Sequence, residues 1–140
     1  MDAALSAGFP CGGWCPDGRA AEDGTIPARY PVIELSGAGY RQRTRQNVLD
    51  SDGTVVIHFG TIRGGTRETV RFCERFGKPV LMVDGRLTDS KEAAAQAAGF
   101  VAAHSIKVLN VAGPRETQHL GARAYAEAVI RDLLRHRHEM

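Results

Sequence analysis

The sequence predicts an α/β fold: a Rossmann-like parallel sheet with helices on both faces. Apolar, β-branched runs at 54–59, 80–84 and 106–111 have strand length, and each is followed by a helix-like stretch. Alternation of this kind joins parallel strands through right-handed crossovers, so helices cover the sheet. Residues 80–84 are almost continuously apolar, which is typical of a strand buried on both faces.

Apolar residues at helical spacing predict three helices, which begin at about Thr66, at a cap formed by Asp89 or Ser90, and at about Thr117. Their stripes are Thr69, Val70, Cys73 and Phe76; Ala93, Ala94, Ala97 and Ala98; and Ala126, Val129, Ile130, Leu133 and Leu134. Upstream, the pattern predicts a helix end at 1–8, short strands near 11–15 and at 32–35, and a polar helix at 40–50.

Length and composition favour one soluble domain spanning residues 1–140. The net charge of +2 is too small to indicate nucleic-acid binding, and no apolar run has the length of a membrane helix. The first residues lack the pattern of a secretion signal. Three cysteines, an odd number, form no disulfide framework. We therefore expect a cytoplasmic protein that contacts neither nucleic acid nor membrane.

The turn at 60–66 is the main candidate for a binding site. It joins a strand to a helix, and Gly64 and Gly65 lack a Cβ atom, so an anion can approach the backbone closely. The positive end of the helix dipole and free N–H groups favour a phosphate there, next to Thr66. Arg63 and Arg67 flank the turn. The alternative is that the glycines only tighten the turn and bind nothing.

Other candidate residues follow the remaining strands. Asp84 and Asn110 lie at or near predicted strand ends, and Gly113 and Arg115 open the next loop, so all should border the same crevice. Asp84 either accepts bonds from a ligand or caps its own turn. No structural metal is expected, because Cys11 and Cys15 have no second pair.

Several segments together closely resemble the putative molybdenum carrier family. They are 12–31, which includes GGWCPDGR and AEDGTIP, then 41–47, 50–54, 64–66 and 108–116. That family belongs to a Rossmann-like superfamily with the lysine-decarboxylase-like phosphoribohydrolases and DNA-processing protein A. The resemblance implies a non-catalytic binder or carrier of a phosphorylated heterocycle, either molybdenum cofactor or a nucleotide.

Within the first resembling segment, Gly12, Gly13, Trp14 and Arg19 are expected to face the ligand. Trp14 has a ring face that can stack on a pterin or purine, and Arg19 can donate two parallel hydrogen bonds to a phosphate. The alternative is that Trp14 fills the core beneath its loop and Arg19 pairs with a neighbouring carboxylate.

The chain departs from the family pattern in one respect. The family's first strand and its glycine-rich turn have no counterpart, so neighbouring strand edges are expected either to be unpaired or to close on each other. Exposed edges and the polar helix at 40–50 also suggest a homo-oligomer.

The alternative function is nucleotide N-glycosidic hydrolysis of the phosphoribohydrolase type. The phosphoribohydrolases have a glycine–threonine motif followed by a glutamate. This motif is incomplete here, because Glu68 does not stand at the position of that glutamate.

Overall fold

The structure, a computed structural model, describes residues 13–15, 20–21, 24–25, 32–34, 40–114 and 119–139. Its elements are β1 (Gly13–Cys15), β2 (Ala20–Ala21), β3 (Gly24–Thr25), β4 (Val32–Glu34), α1 (Tyr40–Leu49), β5 (Gly53–His58), α2 (Gly64–Arg75), β6 (Val80–Asp84), α3 (Ser90–Ala103), β7 (Leu109–Ala112) and α4 (Ala122–Glu139). The helix end expected at 1–8 lies outside these ranges.

Strands β5, β6 and β7 form a parallel sheet in the order β6-β5-β7. The predicted parallel α/β fold is therefore confirmed. Separately, β1 pairs with β4 in parallel and β2 pairs with β3 antiparallel. None of the described strands corresponds to the family's first strand, and none pairs with the outer edge of β7, where Val111 is 38% exposed.

Two apolar clusters cover opposite faces of the sheet. Alternate residues of a strand point to opposite faces, and Val55 and Ile57 pack with Val83 against α3 and α4. On the other face, Thr54 hydrogen-bonds to Cys73 of α2, which packs with Phe72 and with Val48 of α1. Helices thus lie on both faces, as the sequence pattern predicts.

Two strand predictions differ from the structure. Only Val83 of β6 is buried, because β6 is an edge strand of the described sheet rather than an interior one. Strand β7 begins at Leu109 rather than at residue 106. The carboxylate of Asp52 accepts the N–H groups of Lys107 and Val108 at 3.0 and 2.8 Å, so those residues bond to a loop instead of to a strand.

Candidate ligand-binding site

The turn between β5 and α2 leaves the start of the helix open. Gly64 begins α2 with φ +60°, a conformation that favours glycine. The preceding residue, Arg63, makes no side-chain hydrogen bond to the helix end. Among the described residues, an ideal Cβ atom built on Gly64 or Gly65 would meet no atom within 4 Å. The first turn of α2 therefore faces free space, as an anion-binding turn requires.

The carboxylate of Asp84 accepts a backbone hydrogen bond from Gly60, just after β5. It accepts hydrogen bonds from the backbone N–H of Arg86 at 3.0 Å and from the Arg86 guanidinium at 3.3 Å. The backbone N–H of Arg86, and then its guanidinium, lower the pKa of the Asp84 carboxyl. The same guanidinium lies over Gly60, where a Cβ atom would come within 2.9 Å of it. Asp84 and Arg86 therefore connect the loops that follow β5 and β6.

A cavity of about 460 Å³ lies between α1, α2 and the end of β7; we call it the polar cavity. Helix α1 contributes Arg41, Arg43, Thr44 and Asn47, helix α2 contributes Gly65, Thr66, Glu68 and Thr69, and the third wall is 110–113. The amide of Asn110 is fixed there, because its Nδ2 donates to Thr54 Oγ1 at 3.2 Å. Gly113 is needed for close packing, since its Cβ would lie 3.2 Å from the Ile57 carbonyl oxygen.

Glu68 is the acidic residue among those lining the polar cavity. Its carboxylate lies 3.4 Å from Arg41 Nε and 3.9 Å from Arg71 Nη1, and its side chain is 33% exposed. The Arg41 guanidinium is also 5.3 Å from the centre of the Phe72 ring. Glu68 is thus held by two cations yet remains accessible from the cavity. A carboxylate in this position accepts hydrogen bonds from a ligand's N–H groups.

A second cavity, of about 350 Å³, lies beyond the end of β5; we call it the basic cavity. Its lining includes His58, Arg63 and His119, and none of the described residues in it is acidic. His58 Nδ1 is 2.8 Å from the carbonyl oxygen of Gly60. The His119 ring stacks on Phe59, with centroids 3.9 Å apart. The buried residue Thr66 lines both cavities and forms a shared wall.

The structure brings together several of the residues that the sequence singled out. Gly65, Thr66, Asn110 and Gly113 line the polar cavity, and Gly64 adjoins it in the chain. Gly13 and Trp14 lie in β1, which contacts α1. Asp84 lines neither cavity. Gly12, Arg19 and Arg115 lie outside the described residues. Whether these residues bind a ligand stays a prediction.

Arg41, Glu68, His58 and His119 line the cavities but were not among the ligand-binding residues predicted from the sequence. The polar character of residues 40–50 is a sequence signal for Arg41. A helix with so few apolar residues has polar side chains that need hydrogen-bonding partners outside the helix. His58 resembles an ordinary sheet histidine in sequence. Nothing local indicates His119, which reaches the cavity through the tertiary fold.

Within the described ranges, histidine, cysteine and acidic side chains do not gather in groups of three or more that could hold a metal ion. Among the same residues, no helix combines the length and the apolar character needed to cross a membrane.

The parallel sheet, the open helix start and the two adjoining cavities define a Rossmann-like α/β protein with a candidate site for a small molecule. A family model described as the circularly permutated YpsA SLOG family matches residues 1–134. The chain belongs to this family.

A solved structure supports the assignment. The crystal structure of a protein named putative molybdenum carrier protein, from Syntrophus aciditrophicus SB, is 36% identical and has a TM-score of 0.92. The match covers 96% of this chain and 85% of that one. No curated protein matches. The resemblance to the putative molybdenum carriers is therefore confirmed.

Proposed function

We propose that this protein binds and carries a phosphorylated heterocycle, molybdenum cofactor or a nucleotide, without transforming it. The observation that carries the proposal is the open space against Gly64 and Gly65 at the start of α2. Two cavities of suitable size for a small ligand adjoin this point. A helix start with unoccupied N–H groups favours an anionic group of the ligand.

The name of the Syntrophus protein suggests a molybdenum-related cargo, and the described residues fit the organic part of molybdenum cofactor. Polar side chains in one cavity suit the pterin ring, and basic side chains in the other suit its phosphate. No cysteine is among the described residues that line either cavity, and Cys73 is buried in the cluster with Phe72. These residues would thus hold the pterin and its phosphate, while the molybdenum travels as part of the cargo.

Hydrolysis of a nucleotide is the less favoured function. The phosphoribohydrolase motif requires a glutamate three residues after the threonine of the turn, and Thr69 stands there in this chain. The Thr69 hydroxyl donates to the Gly65 carbonyl oxygen at 3.0 Å, which is a structural role. We therefore expect retention of the ligand without release of a free base.

Gly65→Leu tests the proposal. Because an ideal Cβ at Gly65 meets nothing within 4 Å, the leucine side chain extends into the cavity without displacing the fold. We expect calorimetric titration with GMP to show binding at least about 10-fold weaker than in the wild type, because the leucine occupies the polar cavity beside the start of α2. The circular dichroism spectrum should not change.

Gly99→Leu is the matched control, since Gly99 is an exposed helical glycine outside both cavities that is equally open. It should bind GMP as the wild type does. Unchanged binding by Gly65→Leu contradicts the proposal. Release of guanine during the titration would instead support the hydrolase. The single domain, the cytoplasmic location and the homo-oligomer stay predictions.

A further inference from the structure

The two cavities differ in the charges that line them. The basic cavity has Arg63, His58 and His119, and no acidic side chain is among the described residues that line it. The polar cavity has Arg41 and Arg43 together with Glu68, whose carboxylate lies 3.4 Å from Arg41 Nε. A phosphate placed in the polar cavity would meet that carboxylate and be repelled by it. Arg63 and Thr66, which flank the start of α2, line the basic cavity, so we assign the phosphate of the proposed ligand to that cavity.

The polar cavity suits the other end of such a ligand. Asn47, Thr44 and Asn110 supply neutral hydrogen-bonding groups, and Glu68 supplies two strong acceptor oxygens. Arg41 and Arg71 approach the carboxylate from 3.4 and 3.9 Å, which orients it without consuming both of its oxygens in short bonds. A carboxylate of this kind recognises two adjacent N–H donors on a planar ring.

Thr66 lines both cavities, so one ligand can extend from one to the other past this residue. We propose that Glu68 determines which ring the protein accepts. It does so by binding the ring N–H and amino group of a 2-amino-4-oxopyrimidine, the edge that guanine and pterin share. The phosphate of the same ligand lies in the basic cavity. This inference rests on the proposed function and adds the class of heterocycle to it.

Titration of the wild-type chain with GMP, IMP, AMP and inorganic phosphate tests the ring specificity. IMP lacks only the 2-amino group, and AMP presents a different edge. The wild type should bind GMP about 10- to 100-fold more tightly than IMP or AMP, as expected for a charge-assisted hydrogen bond. A phosphate ester of 6-hydroxymethylpterin distinguishes a pterin ligand from a guanine nucleotide. Whichever of this ester and GMP binds more tightly identifies the class of ligand.

Two variants separate the roles of the cavities. Glu68→Gln should remove the preference for GMP over IMP and leave inorganic phosphate binding unchanged. Arg63→Gln should weaken every phosphate-bearing probe by a similar factor and preserve the preference. Glu74→Gln, an exposed position on the same helix outside both cavities, is the control and should change neither.

The possible failures are distinguishable. If the wild type binds GMP, IMP and AMP equally, or if Glu68→Gln weakens all of them alike, the assignment of Glu68 is wrong while the binding function stands. If the wild type binds none of the phosphate-bearing probes, both the proposed function and this inference are overturned.

Discussion

The two ends of the central strand β5 differ in how tightly they are packed. At the amino end, a Cβ on Gly53 would lie 2.5 Å from Ile106 Cδ1, and Ile106 is buried. The ammonium group of Lys78 donates there to the Ser51 carbonyl oxygen at 2.8 Å. At the carboxyl end, the chain turns into α2 with open space against Gly64 and Gly65.

This difference shows that glycine has two unrelated uses in the same sheet. Gly53 permits close packing, so replacing it should affect stability. Gly65 leaves a space, so replacing it should affect binding alone. Sequence position after a strand does not distinguish the two uses. The neighbouring side chains do, and the following predictions test that distinction in order of expected effect.

Gly53→Leu should have the largest effect on stability. The new side chain overlaps buried Ile106 and approaches Phe100, so the core must shift to accept it. We expect the free energy of unfolding to fall by about 1–3 kcal/mol, the usual cost of overpacking. Urea denaturation measures the change, with Gly65→Leu as the comparison. Equal stability of the two variants would contradict the distinction between the ends.

Asp52→Ala should lower stability in a pH-dependent manner. Hydrogen bonds from the backbone N–H of Val108 and then of Lys107 lower the pKa of the Asp52 carboxyl below its ordinary value of 3.8. Such a group stabilises the fold fully above the unfolded-state pKa, and this contribution is lost as pH falls through the folded-state pKa. The stability difference between wild type and Asp52→Ala should therefore be largest near neutral pH and should become smaller as the pH falls below 3.8.

The comparison isolates Asp52, because Asp84, whose pKa is also lowered, is present in both proteins. Urea denaturation at neutral pH and at about pH 3 gives the two differences. If the stability difference between wild type and Asp52→Ala is the same at both pH values, the charge of the Asp52 carboxylate does not contribute to stability.

Gly99→Ala should have the smallest effect and the opposite sign. Gly99 lies within α3, and its Cβ position is open, so alanine should raise the free energy of unfolding by about 0.5–1 kcal/mol. The same change at Gly64 should lower it, since Gly64 has φ +60°. Thermal melting of the two variants compares them. A stabilising Gly64→Ala would contradict the strained conformation assigned to that turn.

Local patterns in the sequence were sufficient to predict the described helices and the main strands. The apolar run at Val80–Asp84 matches β6 to the residue, and Asp89 caps α3 by accepting the Glu92 N–H at 2.9 Å. Strand β7 was predicted too early because Ile106 is apolar and buried in a loop. Apolar character indicates burial, but it does not by itself indicate strand pairing.

The candidate site was predictable only in part. Gly64, Gly65 and Thr66 are recognisable because a glycine turn between a strand and a helix has a local signature. Glu68 of α2 and Arg41 of α1 lie 27 positions apart in the chain and are brought together by the fold. No local sequence pattern indicates such a pairing.

The sequence by itself determined the fold class, the family and the glycine turn, because periodicity and turn residues act over short stretches of chain. The tertiary structure decided that the space beside this turn divides into a polar and a basic cavity with Thr66 between them. Charges in those cavities come from segments distant in sequence, and only folding sets the distances that determine how they interact.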